Sequence, residues 1–157
     1  MLSEAEFKRA IELGLIAEEI VLLYLQSNNS LVQDMRKQMH EYRKGPRLKG
    51  TEGEIILPDF AVYNKNPSKG KFAVDAKYKN SLYPVNGKQC FTVDNKLEDY
   101  RRATQILGLE FLVIAFMYKN KLYFYKDTEY CEITTFNNQH GTGSVYCFEF
   151  DESKHTY

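Results

Sequence analysis

The sequence predicts a three-layer α/β sandwich, a mixed central sheet flanked by helices, and three stretches predict it. Residues 4–27 carry apolar side chains at three- and four-residue steps. Residues 54–63 and 71–78 are β-prone runs joined by a polar turn, and residues 111–117, FLVIAFM, are continuously apolar. The first pattern is that of an amphipathic helix, the second that of a β-hairpin, and the third that of a strand buried on both faces.

The elements follow in order. Ser3 with Glu6 three residues on has the form of a capping box. Phe7, Ala10, Ile11, Gly14, Ala17, Val21 and Tyr24 then form a stripe that ends at Asn28. Leu31, Val32, Met35, Met39 and Tyr42 recur at helical spacing, so a second, basic helix is expected over 31–44, within an insertion at 31–50. Residues 45–51, GPRLKGT, lack the Gly-Lys-Ser/Thr ending of a phosphate loop and are read as a plain loop. Pro84 and Gly87 make 78–92 an irregular connection. Asp94 and Asn95 open a helix over 95–107, with Leu97, Tyr100, Thr104 and Leu107 on one face and Gly108 as its cap. Residues 122–125 return as a strand after the turn at Lys119–Lys121, residues 130–136 and 145–150 are further β segments, and the tail from Asp151 is expected to fray.

Composition bounds the rest. A chain of 157 residues, 43% hydrophobic and 14% aromatic, suits one folded domain. No apolar run is long enough for a bilayer and no basic-then-apolar leader opens the chain, so a cytoplasmic protein is expected. Cys90, Cys131 and Cys147 lack metal-ligand spacing and read as free thiols. His40, His140 and His155 read as surface residues. Net charge is zero, yet Arg36, Lys37, Arg43, Lys44, Arg47 and Lys49 crowd into residues 36–49, a candidate phosphate-facing patch.

Chemistry concentrates in the hairpin. Side chains alternate along a strand, so Asp75 and Lys77 project to one side while Val74 and Ala76 take the other. Asp59 sits where the preceding strand folds back beside Asp75. Carboxylate oxygens suit a hard cation such as Mg²⁺, and a nearby ammonium suits developing negative charge on a phosphoryl group. The acid-x-Lys triplet alone is weak, since about one is expected by chance in a chain this long, and Glu6-Phe7-Lys8, Asp94-Asn95-Lys96 and Glu152-Ser153-Lys154 also fit. Only Asp75-Ala76-Lys77 lies in an apolar strand after a Pro-Asp strand.

Pro58, Asp59, Asp75, Ala76 and Lys77 resemble the PD-(D/E)xK nuclease superfamily, of restriction-endonuclease-like fold. Gly14, Ala17, Glu18, Val21, Tyr24 and Leu25 resemble the first helix of its Holliday-junction-resolvase-like members. The resemblance spans residues 6–125. It implies a Mg²⁺-dependent deoxyribonuclease, Mn²⁺ able to substitute, acting as an endonuclease on DNA. By it, Glu18 is the third carboxylate beside Asp59 and Asp75, the Ala76 carbonyl is an extra metal ligand, and Lys77 orients water; the residues alone leave Glu4, Glu6, Glu12 and Glu19 equally open. It also makes Lys96 and Gln105 secondary DNA contacts. A junction resolvase acting as a homodimer and an inactive DNA-binding module on the same fold are the alternative expectations.

Overall fold

The computed structural model describes residues 3–28, 30–38, 47–50, 53–66, 68, 70–138 and 141–156. Helix α1 (Glu4–Ser27) begins at the expected capping box: the Glu6 amide donates to Ser3 Oγ (3.1 Å) and the Ser3 amide to Glu6 Oε2 (3.0 Å). Its second half packs Ala17, Val21 and Leu25 into the core. The same stripe is bare in the first half, where Phe7 is 59% and Ile11 46% exposed. Among the described residues no helix is long and apolar enough to cross a membrane.

A five-stranded sheet forms the middle layer, in the order β1 (Ser30–Asp34), β4 (Phe60–Asn64), β5 (Lys71–Lys79), β8 (Phe111–Tyr118), β9 (Lys121–Lys126). All neighbours are antiparallel except β5 and β8, so the sheet is mixed as expected. One face carries Phe60, Val62, Val74, Ala76, Val113, Ala115 and Met117 against α1. The other carries Ala61, Ala73, Leu112, Ile114 and Phe116 against helix α2 (Lys96–Ile106) and a second sheet. That sheet runs β10 (Glu132–Asn138), β11 (Gly141–Glu149), β7 (Lys88–Asp94), β6 (Tyr83–Val85). Aromatic rings fill the space between the sheets: Phe91 stacks on Phe116 at 4.5 Å, and Phe148 lies 5.6 Å from Phe116.

Helix α2 ends as expected. Gly108 takes a left-handed φ of 70°, its amide donates to Gln105 O (3.0 Å), and the Leu109 amide donates to Thr104 O (3.0 Å), the paired bonds of a Schellman cap. At its start the side-chain acceptor is Asp94, bonded by the Lys96 amide at 2.9 Å; Asn95 makes no side-chain cap.

Several expectations are corrected. The predicted helix at 31–44 begins instead as strand β1, followed by a 3-10 turn over Met35–Gln38. The spacing of Leu31, Val32 and Met35 fits a helix, but pairing with β4, in which Val32 faces Val62, satisfies the same backbone groups. The expected loop at 45–51 contains β2 (Arg47–Gly50), which pairs with β3 (Gly53–Ile56). The long strand predicted over 54–63 is two strands. Pro58, fully buried, has no N–H to give a ladder, so the chain bends at Asp59 before β4 starts. The connection at 78–92 forms the β6–β7 hairpin, with Gly87 at φ 80° in its turn. The tail docks: the Thr156 amide donates to Leu122 O at 2.9 Å, and His155 bridges to Tyr123. His155 is exposed as expected, while His40 and His140 lie outside the described residues. All three cysteines are free, Cys90 and Cys147 buried and Cys131 exposed.

Candidate active site

The β4–β5 register sets Phe60 opposite Val74. Continued by one residue, it places Asp59 across from Asp75. The bend after Pro58 turns the Asp59 carboxylate into the sheet, where Oδ2 accepts the Ala76 amide at 2.9 Å. Asp75 is 2% exposed and Asp59 8%. Val74 and Ala76 pack toward α1, and Lys77 meets Tyr100 of α2 on the other side, so the alternation read from the sequence holds.

Lys77 Nζ lies 3.1 Å from Asp75 Oδ2 and donates to Tyr100 Oη at 2.9 Å. The Asp75 contact is an ion pair off the line that a hydrogen bond needs, so Asp75 Oδ2 is buried without a hydrogen-bond partner. Burial opposes charge on Lys77, but Asp75 and then the Tyr100 oxygen outweigh it and hold the ammonium above its ordinary range. Burial, then Asp75, pushes the Tyr100 phenol up, so it stays protonated. Asp59 is pushed well above the usual carboxylate range, first by burial, then by the charges of Asp75 and Glu18.

Glu18 projects from the buried half of α1 with a side chain 12% exposed. Burial pushes its carboxyl up and the Arg36 hydrogen bond works against that, with Asp75 and Lys77 also within electrostatic reach. Glu18 thus lies within electrostatic reach of Asp59, Asp75 and Lys77. Among the described residues no three His, Cys, Asp or Glu side chains form a ready-made metal cage. The donor set nevertheless fits a hard divalent cation. Three mutually repelling carboxylates, one with a buried oxygen that no hydrogen bond satisfies, supply the negative charge and oxygen donors that such an ion takes.

Arg36 is a correction to the phosphate-facing patch. It is 8% exposed and turns inward: Nε and Nη2 donate to Asp34 at 2.9 and 2.8 Å, Nη2 to Glu19 at 2.8 Å, and Nη1 to Glu18 at 3.3 Å. A guanidinium so engaged is not offered to a DNA backbone. Lys37, Arg47 and Lys49 have described backbones only, and Arg43 and Lys44 lie outside the described residues. Lys96 and Gln105 are exposed on α2, with no hydrogen bond or ion pair to the acidic group among the described residues.

One residue of the site is new, and a further lysine lies along the same strand face. Tyr100 reads in sequence as part of the apolar stripe of α2, and its hydroxyl is what meets Lys77. Lys79 follows Lys77 on the same face of β5; burial, then the Lys77 charge, lowers its amine to about 8. The alternation that selects Asp75 and Lys77 would also have selected Lys79.

No family model matches the chain, and no curated protein matches it. Among solved structures it is similar to Hjc, a Holliday junction resolvase of the archaeal hyperthermophile Archaeoglobus fulgidus, with a TM-score of 0.55, 13% identity and 89% of each chain covered. The fold is thus the mixed α/β fold of that resolvase.

Proposed function

We propose that the chain is a divalent-metal-dependent deoxyribonuclease that hydrolyses DNA phosphodiester bonds as an endonuclease. The observation that carries the reading is the buried Asp75 Oδ2, which has no hydrogen-bond partner and is ion-paired only with Lys77 at 3.1 Å, with Asp59 and Glu18 repelling Asp75. In this reading Glu18, Asp59, Asp75 and the Ala76 carbonyl would hold Mg²⁺, or Mn²⁺ in its place. The ion supplies Lewis-acid polarisation and charge neutralisation when bound. Lys77 keeps its proton and presents a fixed positive charge, able to orient a water and to stabilise negative charge developing on the scissile phosphate. Tyr100 fixes the ammonium from behind.

DNA is the proposed substrate, with Lys37, Arg43, Lys44, Arg47, Lys49, Lys96 and Gln105 as its proposed contacts. A second copy of the chain is proposed as partner, for which the exposed Phe7 and Ile11 of α1 offer an apolar face. Specificity for four-way junctions is a narrower reading, favoured by the resolvase whose fold the chain shares.

Cleavage of labelled duplex, single-stranded and four-way-junction DNA by wild type and Lys77→Ala, each with Mg²⁺ or EDTA, tests the reading. Cleavage that stops in EDTA and falls by about 10²–10³-fold in Lys77→Ala is expected. Preference for the junction would select the resolvase reading. No cleavage by the wild type, together with no metal binding, would instead favour a DNA-binding module without catalysis.

Tyr100→Phe removes one oxygen and leaves the ring in its place. Loss of one hydrogen bond to a charged group should lower the cleavage rate by about 10-fold at saturating Mg²⁺ and DNA. An unchanged rate would leave Tyr100 with a packing role only.

A further inference from the structure

Arg36 joins three parts of the chain that the site depends on. It lies in the 3-10 turn that follows β1, and the first residue of that turn, Met35, donates its amide to Asp59 O at 2.9 Å. Its guanidinium lies 5.0 Å from the centroid of the Phe60 ring, the residue after Asp59. Two nitrogens grip both oxygens of Asp34, and the Arg36 amide also donates to Asp34 Oδ1 at 2.9 Å. The fork is therefore fixed before it reaches α1. Its remaining reach goes to Glu19, whose side chain is 62% exposed, and to Oε1 of Glu18, whose side chain is 12% exposed and within electrostatic reach of Asp75.

A planar guanidinium held on one side by a bidentate carboxylate and packed on an aromatic ring has little freedom left, so the carboxylate on its other side is oriented with it. Among the described residues no other side chain donates a hydrogen bond to Glu18. It faces two repelling acids, Asp59 and Asp75. Without Arg36 the Glu18 side chain would be free to rotate away from them. We propose that Arg36 is a positioning residue: by anchoring Glu18 through Oε1 it fixes the direction of that carboxylate relative to Asp59 and Asp75 and so sets the affinity of the chain for a divalent cation. The proposal rests on the nuclease reading and adds a residue outside the acid-x-Lys motif.

The test is Mn²⁺ binding by calorimetry to the full chain without DNA, with the Mn²⁺-induced rise in Tm as second readout. Wild type, Arg36→Ala, Arg36→Lys and Asp75→Asn are compared. Partners of metal ligands typically change affinity by about 10–100-fold when removed, and a loss of that size is expected for Arg36→Ala. Lysine keeps the charge but cannot hold Asp34 and Glu18 together, so Arg36→Lys should fall between alanine and wild type. If Arg36→Ala fails to fold, Arg36→Lys carries the test. A variant that melts earlier yet binds Mn²⁺ with wild-type affinity would make Arg36 a structural residue and overturn the proposal. Tighter binding would overturn it too, since the guanidinium would then be a competitor of the cation. Wild type that binds no Mn²⁺, or Asp75→Asn that binds it as wild type does, would overturn the nuclease reading, and the Arg36 role with it.

Discussion

Asp75→Ala is expected to abolish DNA cleavage, by a factor on the order of 10³ or more, while the chain remains folded. The substitution acts on the fold in two opposing ways. It deprives Lys77 of the carboxylate 3.1 Å away, and it removes the charge that repels Asp59 and Glu18. Lys77 keeps the Tyr100 hydroxyl at 2.9 Å, and its side chain is 27% exposed. The two stability effects therefore offset each other in part, whereas the chemical loss has no offset. A cleavage time course in Mg²⁺ beside a thermal melt separates the two. Undiminished cleavage by a folded Asp75→Ala variant would refute the assignment of the site.

Asp59→Asn is expected to lose cleavage to a similar degree and to gain stability. Burial and the charges of Asp75 and Glu18 push the Asp59 carboxyl well up, so a charge on this group in the native state is opposed by its environment. Asparagine has the same shape, its amide oxygen can still accept the Ala76 N–H that Asp59 Oδ2 accepts at 2.9 Å, and it carries no charge. A rise in Tm of about 2–4 °C at neutral pH is expected, the shift that about 1 kcal/mol makes in a chain of this size. The sign of the pH dependence follows from linkage. A carboxyl with a raised folded pKa binds a proton more readily in the native than in the unfolded state, so as pH falls through that folded pKa the wild type recovers what the buried charge cost it. The advantage of Asp59→Asn should be largest at neutral pH and shrink on acidification. An advantage that is absent at neutral pH would mean that neither burial nor repulsion burdens the carboxylate.

The hairpin is legible in the sequence because its information is local. Strand alternation fixes which way Asp75 and Lys77 point, a polar turn fixes the return of the chain, and Asp59 then has one place to go. Glu18 is not legible from the residues, because α1 also carries Glu4, Glu6, Glu12 and Glu19 and only the resemblance chooses among them. Arg36 misleads for a physical reason: a run of basic residues has the same composition whether its side chains meet water or a cluster of acids. The strand that turns Arg36 inward is made by pairing with β4, where Gln33 and Tyr63 meet across 30 residues of chain. Tyr100 is hidden by its ring, which belongs to the apolar face of α2 while its oxygen belongs to the site. The second sheet is obscured at Pro84 and Gly87, two residues that break strands in general but here occupy a short edge strand and its turn.

The parallel contact between β5 and β8 has a consequence for the order in which the site is assembled. Phe72 pairs with Phe111, and between them the chain must make the β6–β7 hairpin and α2. Pairings over such sequence distances form slowly, because a large loop must close before the contact rewards it. A ribosome that has made the chain as far as Lys79 has already supplied Glu18, Arg36, Asp59, Asp75 and Lys77, yet β5 then still lacks the neighbour that covers one of its edges, and Tyr100 has not been made. On the nuclease reading, the site is thus completed late in synthesis, once β8 pairs with β5 and Tyr100 reaches Lys77.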